Sequence, residues 1–177
     1  MRFHNQQVDV GTLPQLSDVI FQGLEKAYLN VLLLRLSLFS LVLIISLVGL
    51  YIFQPLEDVV GFGYMAALGM GILYVIWRYI VVVNGFRNKA YALRSKDIVY
   101  KTGWLWKSTT TTPFNRVQHI SIEQGPVERK WNLSRLRLFT AGGSTSDLSI
   151  PGIDHNTAQE LKEYIAGKTR IAENEEE

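Results

Sequence analysis

Two long uncharged runs organise the chain: Leu36 to Leu56 reads LSLFSLVLIISLVGLYIFQPL, and Val59 to Trp77 reads VVGFGYMAALGMGILYVIW. Each is near the ~20 residues that a bilayer-spanning helix needs, so the pattern predicts transmembrane helices over 36–56 and 59–79. Only Glu57 and Asp58 separate the runs, and Gln54-Pro55-Leu56-Glu57-Asp58 reads as a tight turn closing an antiparallel helical hairpin, residues 36–83. A polar segment of 35 residues precedes the first run. That is not the layout of a secretory signal, which places a shorter apolar core near the N-terminus, so no cleavage is expected.

Within residues 1–35, Leu16, Val19, Ile20, Leu24, Ala27, Tyr28 and Val31 recur at near-helical spacing, with Ser17 available as a cap. Two readings stay open: an amphipathic helix from Gln15 to Tyr28 lying on the bilayer, or an extended arm packed on the domain beyond the spans. Past the turn signal Asn84-Gly85 the pattern changes to short β-branched and aromatic runs: KAYALRS, DIVYKTG, WLWKSTTTT, RVQHISIEQG, LRLFTAGG and LSIPG. These read as strands. Ile120 and Ile122 oppose His119 and Ser121, and Leu136 and Leu138 alternate with Arg135 and Arg137, the period of two of an antiparallel sheet with one buried face. Four consecutive threonines suit a half-exposed strand, which Pro113 then interrupts at an edge or bulge. Thr157-Ala158-Gln159-Glu160 fits a capping box with Asp154 favouring the helix dipole, Ala158, Leu161 and Ile165 form an apolar stripe, and Gly167 is placed to end the helix. The expected domain spans residues 85–168, and the acidic stretch 169–177 is expected to be a disordered, solvated tail.

Charge adds an orientation. Lys26 and Arg35 precede the first span, Arg78, Arg87, Lys89, Arg94 and Lys96 follow the second, and the connecting turn has neither Lys nor Arg. The positive-inside rule therefore predicts a two-pass protein of the bacterial inner (plasma) membrane with both termini cytoplasmic. Between Gly85 and Lys168 there are 13 Lys and Arg against 7 Asp and Glu, a net +6, although the whole chain carries +2. A basic domain held beneath an anionic leaflet is attracted to it. The absence of cysteine excludes thiolate zinc sites.

Arg116-Val117-Gln118, Gln124-Gly125-Pro126, Arg129, Asn132-Leu133, Thr140-Ala141-Gly142-Gly143 and Pro151-Gly152-Ile153, in this order, resemble the bacterial pleckstrin-homology-like (PH-like) family of short membrane proteins with two spans. The likeness covers roughly Phe86 to Ile165. It implies an α+β domain on the α-helical hairpin: a seven-stranded, strongly bent antiparallel sheet or barrel capped by a C-terminal helix, without known catalysis. Asn132 stands where the family usually has Gly, and Asn best replaces Gly in a left-handed conformation. Val127 to Asn132 would form a short helical turn.

No enzyme motif competes with this. His119, Ser121 and Asp147 could make a triad only on paper, since no nucleophile elbow or oxyanion loop surrounds them. His4, His119 and His155 are too scattered for a metal site. Thr140-Ala141-Gly142-Gly143 lacks the Lys-Ser/Thr ending of a phosphate loop and reads as a hairpin turn. No cofactor and no nucleic-acid partner is expected. Arg129, Lys130 and Trp131 combine two cations with an indole and form the candidate membrane or partner contact, while for Trp131 itself a core position plugging the open end of the sheet is the other reading. Gly63, Ala67 and Gly71 repeat every four residues and form the candidate helix-packing face, with the first span as the preferred neighbour. The expected function is therefore non-enzymatic: a membrane-anchored PH-like domain that binds the lipid bilayer, a membrane protein partner such as another family member, or both. The alternative is an accessory lipid- or small-molecule-handling subunit of a membrane enzyme or transporter.

Overall fold

The computed structural model describes residues 19–53, 58–140 and 148–176. Two apolar helices, α1 (Lys26–Phe53) and α2 (Asp58–Arg87), lie against one another. At 1.5 Å per residue the 28 residues of α1 extend about 42 Å, enough to cross a bilayer and continue beyond it. Inside the apolar stretch Ser37, Ser40 and Ser46 donate to the carbonyls of Leu34, Leu36 and Val42 at 2.8–2.9 Å, so their hydroxyls need no water. Of the expected turn from Gln54 to Asp58, residues 54–57 lie outside the described residues and Asp58 begins α2.

Beyond the hairpin the described residues form six strands: β2 (Ala90–Leu93), β3 (Asp97–Thr102), β4 (Ser108–Pro113), β5 (Val117–Glu123), β6 (Leu133–Thr140) and β7 (Leu148–Asp154). The seventh, β1, is only Gln22–Gly23 and comes from upstream of α1. It pairs antiparallel with β2 through Gln22↔Tyr91 and Gly23↔Ala90. The strands form two antiparallel sheets, β1-β2-β3-β4 and β5-β6-β7, closed by the C-terminal helix α4 (His155–Glu176). The resemblance placed all seven strands after the spans, whereas the chain borrows one from its N-terminal arm. Of the two readings left open for the arm, its described part follows the extended one packed on the domain: a strand, then the start of α1 at Lys26, in place of an amphipathic helix. Ser17 and Leu16 lie outside the described residues.

The core joins the arm to the domain. Leu24, Tyr28 and Val31 are buried with Ile98, Leu133, Leu136, Leu138, Ile150 and Ile165 in one cluster. The folded domain therefore begins upstream of the first span rather than at residue 85. In β5, Val117 and Ile120 are both buried although they are three positions apart, which in a regular strand would put them on opposite faces. A bulge between Val117 and His119 restores the parity, since one extra residue turns the following side chains to the other face. The threonine run is β4, paired from Lys101↔Thr109 to Ile98↔Thr112, and Pro113 ends it before a single 3-10 turn, Phe114–Arg116.

Two helix ends differ from expectation. Asp154, not Thr157, caps α4: its Oδ1 accepts the N–H groups of Asn156 (2.9 Å) and Thr157 (3.4 Å), and the helix starts at His155, three residues before the start that a Thr157 cap would give. At the other end Gly167 lies inside α4, which stays helical to Glu176 where a solvated tail over 169–177 was expected. Past the glycine, the Thr169 hydroxyl reaches the carbonyls of Ile165 (3.0 Å) and Phe114 (3.3 Å), tying the next turn to the domain. The stripe of Ala158, Leu161 and Ile165 is buried, as its spacing predicts.

Candidate membrane-facing site

The surface of interest is the end of the domain from which the helices emerge. Between β5 and β6 the chain turns through Gly125 into α3 (Pro126–Lys130), a five-residue helix with Pro at its first position. A Cβ at Gly125 would lie 2.3 Å from Glu128 Oε2, so a side chain there would have to displace that carboxylate. Glu128 is buried, and its Oε1 accepts from the Arg35 guanidinium, which pins α3 to α1. The second Glu128 oxygen is buried without a partner. Arg35, Glu128, Ser134 and Arg135 wall a cavity of about 230 Å³ at this junction. Asn132 closes the turn at φ 53°, as a residue replacing glycine must, and its Nδ2 donates to Asp154 Oδ2 at 2.8 Å.

This arrangement fixes where the predicted contact residues sit. Arg129 and Lys130 are exposed on α3, while Trp131 is half-buried and packs against the core, with the Lys130 ammonium 5.8 Å from its ring centroid. The three do not share one exposed face. Lys89, just past α2, stands 5.5 Å from the Tyr28 ring centroid, and burial followed by the Arg135 charge holds its pKa below that of an ordinary lysine. Deeper in β3, burial pushes the Tyr100 hydroxyl up to about 12.

The small-residue face divides likewise. Gly71 lies against α1, where a Cβ would meet Leu47 Cδ1 at 3.7 Å, but Gly63 meets nothing within 4 Å and Ala67 is exposed. Tyr64 takes their place at the contact: its ring stacks on Tyr51 (centroids 5.3 Å) and its hydroxyl donates to the Leu47 carbonyl at 3.2 Å. A tyrosine inside an apolar pair needs such an acceptor, and finding it rotates the contact face of α2 away from Gly63 and Ala67.

Ser121 Oγ is buried without a hydrogen bond, His119 is exposed with its ring 5.6 Å from that of Phe139, and Asp147 lies outside the described residues. His155 Nδ1 lies 2.8 Å from Ser134 Oγ and ties β6 to α4; His4 and residues 141–143 lie outside the described residues.

What local pattern did not reveal is the loop from β3 to β4. WLWKSTTTT reads as one strand, but the ladder closes at Thr102↔Ser108, and Trp104, Leu105 and Trp106 form a turn. Gly103 makes the turn possible: it has φ 95°, and a Cβ there would fall 1.8 Å from the Trp106 carbonyl oxygen. The turn signal was the glycine directly after DIVYKT. The Arg35–Glu128 pair had no such signal, since 93 positions separate its members.

Residues 20–169 match the family model described as Bacterial PH domain. The chain is 27% identical over 112 residues to the UPF0699 transmembrane protein YdbS of Bacillus subtilis (strain 168), covering 59% of this chain and 69% of that protein. A crystal structure of a DUF1696 family protein with a pleckstrin-homology domain from Shewanella loihica PV-4 aligns at a TM-score of 0.36 and 15% identity, over 46% of this chain and 70% of that one. The matched stretch takes in β1, both helices and the β domain, so the chain belongs to the bacterial PH domain family and carries its domain on a membrane hairpin.

Proposed function

We propose that this chain is a non-enzymatic, membrane-anchored binding module. Its hairpin holds the PH-like domain at the cytoplasmic face of the plasma membrane, where the domain docks on the anionic lipid surface and leaves its other faces to a membrane protein partner. The observation that carries this reading is α3: the Arg35–Glu128 pair clamps it beside α1, and it offers Arg129 and Lys130 to the outside. Arg35 is the last charge before the first apolar run, so the two cations stand close to the headgroup level. Each cation so placed contributes about 1 kcal/mol of attraction to an anionic leaflet.

Because the chain has no cysteine, a dye can be attached at Gln124→Cys without altering other sites. In nanodiscs containing phosphatidylglycerol the dye on the full chain should report a drier environment than in phosphatidylcholine. Salt at about 1 M, where the screening length is near 3 Å, should cancel the difference. Arg129→Glu with Lys130→Glu should do the same at low salt. A dye signal indifferent to lipid charge, salt and substitution would reject lipid docking and leave a protein partner as the occupant of this face.

The orientation rests on the Lys and Arg asymmetry around the hairpin. Reporters fused before Met1 and after Glu177 should both read cytoplasmic, and one inserted in the turn at residues 54–57 should read external. Opposite locations for the two ends would overturn the hairpin topology.

A further inference from the structure

The β3–β4 loop leaves three large apolar side chains in the open. Trp104 is 38% exposed, Leu105 64% and Trp106 90%. Nothing in the β domain requires this, since the ladder on either side would close equally well over a polar turn. The loop is not floppy in sequence terms either: Gly103 at φ 95° locks its entry, and the Trp106 carbonyl sits where a Cβ would be.

Its neighbours name the occupant. Trp104, Leu105 and Trp106 line a cleft with Leu32 of α1 and with Val81, Val82 and Phe86 of α2. One turn further into the hairpin, Arg35 and Arg78 line a groove with Leu36, Phe39 and Tyr74. Val82 lies four residues from Arg78, about 6 Å along the helix at 1.5 Å per residue. The polar layer on each side of a bilayer is roughly 5–8 Å thick, the difference between the hydrocarbon core and the full membrane. If the Arg35 and Arg78 charges mark the headgroups, the loop stands within that layer. Apolar character also continues on α2 from Trp77 through Tyr79 and Ile80, all exposed, toward the part of the helix beside which the loop lies. Tryptophan is enriched at this depth because its ring is amphipathic. Lys107 follows the loop directly, where its ammonium can reach a lipid phosphate.

We infer that the Trp104-Leu105-Trp106 loop inserts into the interface of the membrane that α1 and α2 cross, as an apolar second anchor for the β domain. This rests on the membrane-docked reading above and adds the segment that enters the lipid. The two contacts differ in chemistry, because α3 meets lipid through charge and this loop through apolar surface, so salt separates them.

The test uses the full chain in lipid nanodiscs, with a nitroxide at Leu105→Cys and a control nitroxide at Lys96→Cys in the exposed β2–β3 turn. At Leu105 the label should collide with dissolved oxygen several-fold more than with a water-soluble nickel chelate, relative to Lys96, whatever the salt or headgroup charge. A label at Leu105 as open to the chelate as the one at Lys96 overturns the insertion. A label shielded from both reagents overturns it too, by assigning the loop to a protein contact. Brominated acyl chains give a reading without the cysteine: in a Trp77→Phe chain, free of the indole of the second span, they should quench the tryptophan fluorescence, and Trp104→Tyr with Trp106→Tyr should remove most of the quenchable fraction. If that fraction survives the substitutions, the loop does not enter lipid. Failure here with the α3 dye response intact rejects the loop alone; loss of the dye response with Leu105 buried in lipid rejects charge-driven docking alone.

Discussion

Gly152→Ala should destabilise the domain by more than about 3 kcal/mol, and Tyr28→Ala in the same chain should remove the part of that cost that the aromatic ring imposes. Gly152 has φ 69°, a conformation that costs an L-residue roughly 1–2 kcal/mol. Space is the larger obstacle. A Cβ at Gly152 would lie 2.3 Å from Tyr28 Cγ and 2.6 Å from its Cβ, the base of the side chain rather than its mobile end. The clash cannot be relieved by a rotamer and must push α1 off β7. That movement would also strain the hydrogen bond from the Glu25 N–H to the Gly152 carbonyl (3.0 Å), which helps seat the start of α1. Tyr28→Ala alone should cost about 3–5 kcal/mol, as removal of a buried aromatic side chain does. With the ring gone, Gly152→Ala should cost less than in the native chain, but the backbone part of about 1–2 kcal/mol and the 2.6 Å approach to the Cβ of residue 28 remain. The difference between its costs in the two backgrounds measures the contact. Denaturant titration of the detergent-solubilised chain, followed by proteolysis of the β domain, reads all four variants. Additive losses, or a Gly152→Ala chain within 0.5 kcal/mol of wild type, would show that α1 does not press on β7 as described.

That contact also explains which parts of the structure could be read from the sequence. Spans, strands and the α4 stripe are repeats of one residue type at a fixed local period, and a local period is what burial on one face imposes. Ala158, Leu161 and Ile165 lie on a single helix face, and Leu136 and Leu138 on a single sheet face, so each announces its own burial. The family motifs added the turn at Asn132, because a positive φ leaves a residue-type trace. The missed features have no period. β1 is two residues long, Gln22–Gly23, and neither favours strands; it exists because β2 offers an open edge. Leu24, Tyr28 and Val31 were visible as an apolar stripe, but whether a stripe faces lipid or protein depends on what folds next to it. Trp104 and Trp106 alternate like strand residues, and only the φ of Gly103 turns them out of the ladder. Of the proposed contact residues, Arg129 and Lys130 are exposed on α3, while Trp131 packs against the core, its apolar bulk outweighing any preference for the interface.

The same division predicts that residues 86–168, the unit that strand patterning delimits, will not fold alone. Such a fragment lacks β1 and the buried side chains of Leu24, Tyr28 and Val31. Each contributes roughly 1.5–3 kcal/mol when fully buried, so the loss is about 5–9 kcal/mol as an upper bound. A domain of this size is typically stable by only about 5–15 kcal/mol. The fragment also loses Arg35, leaving Glu128 without its ion-pair partner. Hydrogen exchange on residues 86–168 should therefore show little protection in β2, β7 and α3, the elements that the missing segments cover, while the full chain protects them. The hairpin geometry supplies the rescue. Leu32 of α1 lines one cleft with Val82 and Phe86 of α2, so residue 35 can be rejoined to residue 86 by a short flexible linker with both spans deleted. A chain of residues 19–35, linker and 86–168 restores β1, Tyr28 and Arg35 and should regain cooperative unfolding without detergent. Cooperative unfolding of residues 86–168 at the stability of the linked chain would place the first turns of α1 outside the domain core, and would return their apolar stripe to the membrane.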